Sequence, residues 1–442
     1  MSQLQNHIKH FEGLELIYEG SKFPLSVAKP RCTLTGKDLI GGSFQLPLDD
    51  SLFSKHLLFL GNIGTGKTNA ISQVIAQIKS QLTPDDLMIV FDTKGDFYNQ
   101  FYKDGDIVIS NDSSKFKGAN DFWNVFSEIG IDNTNQSINE NSLEIAANLF
   151  ADKIKNSSSP FFPQAAKDIL ATFLNVCLKK LPKELHNNQD LIEFFEASGK
   201  SELQNFFTHY KQNKIGSYIS KEAAAQADGV IAELNQLLTE IFIGDFRKNG
   251  NLSIRDLVRQ KGGKTIFLEY DISVGTVLTP IYRLLFDLAI KETLSSSKRN
   301  TAKGNVWFFI DEFSLLPNLK YLDNGINFGR SQGAKFIIGV QNIPQVYHEY
   351  GEDLGQSLLS GIRTVFSFHI DDIKSREFLQ NRYGFAQKKL SYSDSFGKSV
   401  VNVLPMKVIQ DWDISNLKTG MALVGLPDGN PFIFQFNEFQ KQ

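Results

Sequence analysis

The sequence predicts an α/β protein whose mostly parallel central sheet is interrupted by an inserted all-α domain. Short apolar runs at 56–60, 87–91 and 306–310 have the length and composition of buried parallel strands. The first run continues through a glycine-rich loop into a helical pattern from 69 to about 81, which is the strand–loop–helix order of an α/β domain. Between 112 and 256 the strand patterns disappear and helical periodicity replaces them.

The composition is that of a globular protein and excludes several other classes. The chain has 442 residues, which is enough for two or three domains. With 41% hydrophobic and 21% charged residues, general disorder is excluded. A net charge of −3 excludes a strongly basic coat, although a basic stripe can exist within a neutral total. Two cysteines, Cys32 and Cys177, cannot build a disulfide framework or a cysteine-rich zinc site.

The amino terminus and the hydropathy pattern predict a soluble protein of the cytoplasm. The first twenty residues contain no apolar segment typical of a signal peptide. We find no apolar run of the roughly 18–20 residues that a membrane-spanning helix needs. The low cysteine content fits a reducing compartment.

Changes in the strand and helix patterns along the chain predict three structural regions. Residues 1–44 read as an irregular segment with short strands, 45–111 together with 257–442 as the α/β domain, and 112–256 as the helical insertion. The predicted helices of the insertion are 142–151, 163–181, 191–197, 201–210 and 221–241. The elements predicted after it are strand 264–270, helix 274–297, strand 306–310, helix 319–331, strand 335–340, strand 364–368, helix 373–383, a polar loop at 387–398 and strand 420–425.

The loop after the first strand matches the phosphate-binding pattern GxxxxGK[ST] in full. Its glycines allow backbone N–H groups to surround phosphate oxygens, and the following helix directs its positive end at the same place. Lys67 is expected to reach the β- and γ-phosphates of ATP, and the hydroxyl of Thr68 to bind Mg²⁺. A chance glycine turn is the alternative, and the flanking strand and helix argue against it. The predicted nucleotide-binding residues are Gly61, Asn62, Ile63, Gly64, Thr65, Gly66, Lys67, Thr68 and Asn69.

The apolar strand 306–310 ends in two carboxylates, Asp311 and Glu312. In a nucleotide-binding protein the first is expected to hold the Mg²⁺ shell and the second to polarise the attacking water as a general base. A strand that ends in solvated acids is the alternative. Together with the phosphate loop, the pair predicts hydrolysis of ATP rather than binding alone.

Two further residues are candidates for the catalytic site. Gln341 follows the strand 335–340, where an amide can contact a γ-phosphate or its water. Arg330 precedes that strand, and an arginine at a subunit edge can stabilise the charge on a neighbour's nucleotide. The segment 329–333 also matches GxSxG, but that motif needs a strand before it and a helix after it, so a serine hydrolase is rejected. Asp92, Lys94 and Asp96 end the second strand, either as site residues or as a capped turn.

The chain resembles the ring-forming ATPases of the type IV secretion coupling-protein group, the VirD4/TraD/TraG-like proteins of the FtsK–HerA class. The resemblance extends over most of residues 45–430 and rests on the order and spacing of several segments. Besides the phosphate loop, these segments are Phe91-Asp92-Thr93-Lys94-Gly95-Asp96, Asn120-Asp121-Phe122-Trp123-Asn124, Asp311-Glu312-Phe313 with Leu316-Pro317, and Gly329-Arg330-Ser331-Gln332-Gly333 followed by Gln341, Gln345 and Tyr350-Gly351.

This resemblance implies a RecA-like P-loop motor domain with a projecting helical domain, and hexamers that hold ATP at subunit interfaces around a DNA channel. It also implies that Arg330 acts in trans and that Gln341 senses the nucleotide. Coupling proteins usually begin with transmembrane helices, whereas none is expected here. We therefore expect a cytoplasmic relative, or one held at the inner membrane by a membrane-embedded secretion partner. The helical domain is expected to receive protein cargo or a relaxase-like partner.

The leading hypothesis is an ATP-hydrolysing motor that translocates or delivers DNA. One alternative is a nucleotide-switched receptor that docks protein or nucleoprotein cargo on a secretion machine. Another is an accessory ATPase of a mobile-element or defence system. Lysines 388, 389 and 398 of the predicted polar loop are candidates for DNA contact, against the simpler interpretation of a solvated loop.

Overall fold

The computed structural model describes residues 8–23, 27, 29–220, 224–295, 304–393 and 399–440. The chain divides into two compact units. The first unit contains Met1–Leu82, Trp307–Pro317 and Asp323–Gln442, and the second contains Thr83–Val306 and Asn318–Leu322. The expected division into an amino-terminal segment, an α/β domain and a helical insertion stays a prediction.

The described residues contain fourteen strands and eighteen α-helices, numbered here in chain order. The strands are β1 (Ile8–Glu12), β2 (Cys32–Lys37), β3 (Ser43–Leu48), β4 (Leu57–Leu60), β5 (Leu87–Asp92), β6 (Ile107–Ile109), β7 (Lys264–Glu269), β8 (Val306–Ile310), β9 (Ala334–Val340), β10 (Thr364–Ser367), β11 (Phe385–Ser393), β12 (Ser399–Lys407), β13 (Met421–Gly425) and β14 (Phe432–Phe436). The helices are α1 (Asp50–Phe53), α2 (Lys67–Ser80), α3 (Asp96–Phe101), α4 (Val125–Gly130), α5 (Asn135–Leu149), α6 (Ala151–Asn156), α7 (Phe161–Lys180), α8 (Asn188–Ala197), α9 (Lys200–His209), α10 (Asn213–Gly216), α11 (Ala224–Ile241), α12 (Ile254–Gln260), α13 (Ile272–Ser295), α14 (Leu322–Phe328), α15 (Ile343–Tyr350), α16 (Glu352–Gly361), α17 (Ile373–Tyr383) and α18 (Asp411–Ser415).

The first unit is built on a sheet with the strand order β3-β2-β14-β13-β10-β4-β9-β8. Strands β10, β4 and β9 are parallel, so that Leu60 of β4 lies beside Ser367 and Val340, the last residues of its two neighbours. All four residues of β4 are buried, as expected for a parallel strand that is covered on both faces. Beyond β10 the sheet continues with antiparallel strands, an extension that the sequence patterns did not predict in full.

Helix α2 follows β4 and packs its apolar side on the sheet. Its buried residues include Ala70, Ile71, Val74 and Ile78, which have the three- and four-residue spacing of one helix face. The predicted helix at 69–81 is therefore confirmed, within two residues at either end. On a second side of the helix, the amide groups of two glutamines, 73 and 77, bond the backbone of β2 at distances of 2.8–2.9 Å. These bonds fix the helix against rotation on the sheet.

A separate three-stranded sheet in the first unit has the order β1-β11-β12. The prediction of a polar loop at 387–398 is wrong as far as Ser393, because β11 pairs with β12 over nine residues from Phe385↔Lys407 to Ser393↔Ser399. The polar composition of the segment concealed its pairing, since the hydrogen bonds of a ladder come from a distant strand and not from the segment itself. Lys398 lies outside the described residues.

The second unit combines three parallel strands, in the order β5-β7-β6, with helices α3 to α13. Between Ser113 and Gln260 all of the named elements in the described residues are helices, so the predicted helical texture is confirmed. Helices α5, α7, α8, α9 and α11 correspond to the five predicted ones. The first three residues of the predicted helix 221–241, and the last two of the predicted helix 274–297, lie outside the described residues.

Helix α13 corrects the expectation that no apolar run is long enough to span a membrane. Among the described residues, Ile272–Ser295 alone has the length and composition of such a helix, and 61% of its most apolar stretch is buried within the protein. The helix also carries Arg283, which is 1% exposed and ion-paired with Asp152 at 2.8 Å. Packing inside the second unit accounts for its apolar character, because core helices of this length are apolar on most sides.

Candidate nucleotide-binding and catalytic site

At two positions of the phosphate loop, the backbone adopts a conformation that favours glycine. Gly61 has φ 154° and Gly66 has φ 111°, both in the region that disfavours side chains. A Cβ atom on Gly61 would lie 2.7 Å from Cβ of Phe368, and one on Gly66 would lie 3.0 Å from Cα of Gly420. Gly61 and Gly66 are therefore required both by the curvature of the loop and by its close contact with the residues beside it.

The loop is anchored to the ends of the strands that flank β4. The N–H of Gly61 donates to the carbonyl of Val340, the last residue of β9, at 3.1 Å. The N–H of Asn62 donates to the carbonyl of His369, just after β10, at 3.0 Å. Parallel strands end at the same edge of a sheet, so this edge fixes the loop on both sides.

Lys67 lies at the amino-terminal end of α2 and is largely buried. Its ammonium group donates to the carbonyls of Gly61 and Asn62, the second at 2.9 Å. The cation is therefore held above the loop whose N–H groups and helix end favour an anion. This is the position that the sequence predicts for a phosphate-binding lysine.

Thr68 and Asp311 meet although 243 residues separate them. The threonine hydroxyl donates to the aspartate carboxylate, at 3.1 Å from Oδ2 and 3.4 Å from Oδ1. Hydroxyl and carboxylate oxygens are the ligands that Mg²⁺ prefers, and in nucleotide sites they share the ion with substrate phosphates. In the described part of the chain, no three or more His, Cys, Asp or Glu side chains are grouped to hold a metal by themselves. The Thr68–Asp311 pair therefore fits an Mg²⁺ ion that arrives with a nucleotide.

Glu312 is held by two polar side chains. The amide Nε2 of Gln341 donates to its Oε2, and the hydroxyl of Ser314 donates to its Oε1 at 2.6 Å. Gln341 directly follows β9, and Glu312 follows β8, so the contact joins the ends of neighbouring strands. A carboxylate oriented in this way can accept a proton from a water that reaches the same edge of the sheet.

Gly339 allows β8 and β9 to bring these groups together. A Cβ atom at this position would lie 2.1 Å from the carbonyl oxygen of Asp311. Any side chain here would push the backbone of Asp311 away from β9. Sequence reasoning missed this residue, although a glycine inside a strand is a recognised sign of close backbone approach.

Arg330 lies away from these residues. It is exposed on the short 3₁₀ turn Gly329–Gln332 that precedes β9, whereas the phosphate loop and Gln341 lie at the opposite end of that strand. Seven strand residues correspond to about 20 Å along the sheet, well beyond the reach of an arginine side chain. The structure thus brings together Lys67, Thr68, Asp311, Glu312 and Gln341, and it excludes Arg330 from the site of its own chain.

The turn that carries Arg330 is fixed by a buried histidine. His56 is 1% exposed, and its Nδ1 accepts from the N–H of Phe336 at 3.1 Å, so the proton is on Nε2. Nε2 lies 3.0 Å from the carbonyl of Ile326 and donates to it. Burial lowers the pKa of His56 to about 4. The neutral ring therefore ties β9 to α14, the two elements on either side of the arginine turn.

Asn69 and Ile63 occupy the edges of the phosphate-loop region. The side chain of Asn69 donates to the carbonyl of Asn437 at 2.9 Å and accepts from the N–H of Phe439 at 2.6 Å, so it holds the carboxy-terminal segment. Ile63 is 73% exposed at the tip of the loop. Sequence reasoning also missed Asp371, which accepts a hydrogen bond from the side chain of Asn62; no local pattern marks it.

In the second unit, Asp92 acts as the cap of a turn. Its carboxylate accepts from the N–H of Tyr98 at 2.8 Å and from that of Lys94 at 3.2 Å. The neighbouring strand places Glu269 directly beside it. Burial, and then the charge of Asp92, raise the pKa of Glu269 to about 9. These contacts favour the structural interpretation of the Asp92 segment over a role in a site.

Residues 42–433 match a family described as the type IV secretion-system coupling protein DNA-binding domain. The chain belongs to this family. Coupling protein TraD of Escherichia coli is 21% identical over 374 residues, which are 83% of this chain and 49% of TraD. Protein VirD4 of Rhizobium rhizogenes is 20% identical over 262 residues, which are 57% of this chain and 38% of VirD4. The chain thus spans half or less of the length of these coupling-protein relatives.

The fold is that of solved coupling proteins. The unbound bacterial conjugative coupling protein TrwBdeltaN70 superposes with a TM-score of 0.76 at 19% identity, over 98% of this chain and 94% of that chain. A form of TrwB in complex with ADP and Mg²⁺ gives a TM-score of 0.73 over 98% of this chain and 95% of that chain, at 19% identity. The predicted α/β fold of the RecA-like P-loop class is therefore confirmed. The match over residues 42–433 confirms the predicted membership of the coupling-protein family.

Proposed function

We propose that this chain is an ATP-hydrolysing, ring-forming motor that translocates or delivers DNA in a type IV secretion or conjugation system. One observation carries the proposal. Thr68, Asp311, Glu312 and Gln341 meet at one edge of the sheet, while Arg330 is exposed at the other. A site that is built in this way hydrolyses ATP when a neighbouring subunit supplies the missing cation.

Each residue then has a defined task. The loop from Gly61 to Thr68 and the end of α2 hold the phosphates of ATP, and Lys67 places its charge on them. Thr68 and Asp311 hold Mg²⁺, which when bound neutralises phosphate charge. Glu312 orients the attacking water and accepts its proton. Gln341 keeps that carboxylate in place and also contacts the nucleotide from its own strand end.

Arg330 completes the site of the adjacent subunit. Its exposure and its distance from its own phosphate loop agree with a role in trans, and the exposed Phe328 beside it, at 70%, belongs to the same contact surface. An arginine that enters a neighbour's site stabilises the charge that develops during phosphoryl transfer. The assembly is then a closed ring, for which we propose six subunits.

The partners follow from the family and from the proposed motor. DNA is the substrate, held in a central channel, and a protein cargo or relaxase-like partner binds the helical region between 112 and 256. The chain works in the cytoplasm, at the inner membrane where a membrane-embedded secretion partner holds it. The description of the family as a DNA-binding domain supports the DNA part of this proposal.

The test is the steady-state ATPase rate as a function of protein concentration, with and without single- and double-stranded DNA. A rate per subunit that rises cooperatively with concentration and is stimulated several-fold by DNA is expected for a ring whose sites are shared. Lys67→Ala is the blank, because it removes the phosphate-binding cation. A low rate, independent of concentration and indifferent to DNA, would contradict the motor and favour a nucleotide-switched receptor.

A further inference from the structure

The sheet β1-β11-β12 presents a face that the nucleotide site does not use. Lys9 of β1 lies directly opposite Lys389 of β11, and Lys389 lies opposite Val403 of β12. Because alternate residues of a strand share a face, the odd-numbered residues of β11 and β12 lie on the same side as this row. The lysine–phenylalanine face is defined here as Lys9, Phe11, Phe385, Lys389, Val401 and Val403. The contact of Phe11 with the Lys389 ammonium places that ring on this side, and Glu12, which pairs with Gln387 after a register shift in β1, lies on the same side.

The aromatic rings of this face are open to solvent. Phe385 is 66% exposed and Phe11 is 52% exposed, and two valines beside them are 45–56% exposed. Within the described ranges neither phenylalanine packs on another ring; the close neighbour of Phe11 is the ammonium of Lys389, 4.3 Å from the ring centroid. Contiguous exposed apolar patches mark interaction sites, and the Phe11 ring of this patch lies next to a cation.

The sheet is also net positive, although the whole chain has a net charge of −3. Its three strands contain four lysines and a single acid, Glu12. Lys9 and Lys389 lie opposite each other, and this like-charge contact disfavours the pairing of β1 with β11. In the described part of the chain neither lysine forms an ion pair. A polyanion that lies across the face would remove this repulsion.

The opposite face of the sheet is buried only in part, since Tyr392 and Leu404 on that side are 44–45% exposed. Ala386 is 3% exposed, and partial burial lowers the pKa of Lys388, an effect that the charges of Asp413 and Glu15 oppose. The outward row of Lys9 and Lys389 has no carboxylate ion-pair partner in the described residues. Two lysines without such a partner favour an anionic ligand on this face.

We propose that the lysine–phenylalanine face binds single-stranded DNA, with Lys9 and Lys389 on phosphates and with Phe11 and Phe385 stacked on bases. Open rings between cations suit a single strand, because its bases are free to stack, whereas a duplex hides them. The inference rests on the proposed function, since it names the surface through which the motor holds its DNA.

The first test measures fluorescence anisotropy of a labelled twenty-nucleotide oligo(dT) with the full chain. The Phe11→Leu/Phe385→Leu variant keeps the apolar area of the face but loses the flat rings. We expect it to bind oligo(dT) about tenfold more weakly, and to bind an abasic oligonucleotide of the same length as the wild type does. Equal binding of oligo(dT) by both proteins would overturn base stacking on this face.

The second test concerns the two lysines. The Lys9→Gln/Lys389→Gln variant is expected to reduce the slope of log affinity against log salt by about 1.4, because each phosphate contact to a single strand contributes about 0.7. Lys103→Gln/Lys183→Gln, a change of two exposed lysines elsewhere, is the matched control and should keep the wild-type slope. An unchanged slope in the first variant would overturn the proposed phosphate contacts.

The outcomes separate this inference from the proposed function. If the wild type binds oligo(dT) and both variants bind it equally well, the face is not the DNA surface and the motor proposal stands. If the wild type binds no DNA at any salt concentration while it binds ATP, both proposals fail. If the variants lose binding to anionic phosphatidylglycerol vesicles and keep binding to oligo(dT), the face is a membrane surface and the inference is overturned.

Discussion

The hydroxyl of Thr68 donates to the carboxylate of Asp311 at 3.1 Å, which joins the first turn of α2 to the residue after β8. The two oxygen ligands are thus preorganised before any metal binds. This arrangement places the metal site at the shared end of the strands, where the glycine loop also lies. Its consequences for Mg²⁺ can be measured directly.

Thr68→Ala and Asp311→Asn are each expected to raise the Mg²⁺ concentration for half-maximal ATPase activity by roughly tenfold or more, because each removes an oxygen ligand or its orientation. In the double variant the free-energy cost of Mg²⁺ binding should be smaller than the sum of the two single costs, since both residues act on one ion. Thr68→Ser keeps the hydroxyl and is the control. A Thr68→Ala protein with an unchanged Mg²⁺ dependence would contradict the assignment.

Glu312 and Gln341 are expected to act as a unit in hydrolysis. Glu312→Gln should bind ATP normally and lower the single-turnover rate by about 100-fold or more, because the proton acceptor is lost. Gln341→Ala should lower the single-turnover rate less than Glu312→Gln does. Gln341→Glu should lower it more than Gln341→Ala does, because a second carboxylate then opposes Glu312. Normal hydrolysis by Gln341→Glu would show that the contact has no catalytic role.

Arg330 is expected to act on the neighbouring subunit. Arg330→Ala alone and Lys67→Ala alone should each be inactive in hydrolysis. An equal mixture of the two should recover about a quarter of the wild-type rate, because about a quarter of its interfaces combine an intact arginine with an intact phosphate site. Arg330→Lys is the conservative control for charge. A mixture that stays inactive, or an active Arg330→Ala protein, would count against action in trans.

Gly339 is expected to control the position of Asp311. Gly339→Ala places a methyl group against the Asp311 carbonyl and should destabilise the protein by about 1–3 kcal/mol, with a loss of ATPase activity at temperatures where the protein is still folded. Ile337→Val, in the same buried strand, costs about 1 kcal/mol and is the matched control, since it leaves the strand spacing unchanged. Chemical denaturation and ATPase assays at one temperature separate the two effects.

Glu269 predicts a pH dependence of stability. Its pKa in the fold is about 9, above the ordinary value near 4.5, so the folded state favours the neutral acid. Its contribution to stability is complete below about pH 4.5 and is lost as the pH rises toward 9. Glu269→Gln, which stays neutral, should therefore gain thermal stability relative to the wild type between pH 5 and 9.

Glu196→Gln, at an exposed ion pair with Arg247, is the control for Glu269 and should show no such trend between pH 6 and 9. If the melting temperatures of the wild type and Glu269→Gln change with pH in the same way across this range, a neutral Glu269 is contradicted.

The sequence by itself determined the strand–loop–helix of the phosphate site, the strand before Asp311 and Glu312, and the helical texture between 112 and 256. These features are local: glycine spacing, short apolar runs and helical periodicity depend on residues that lie close together in the chain. The family resemblance rests on the same motifs.

Only the tertiary structure decided which distant residues meet and which do not. It brought Gln341 to Glu312 and Thr68 to Asp311, and it placed residues 387–393 of the predicted polar loop in the strand β11. It also placed Arg330 at the end of β9 that faces away from the phosphate loop. Strand pairing and close backbone approach, as at Gly339, depend on hydrogen bonds and packing between segments far apart in sequence, and a local pattern contains no record of them.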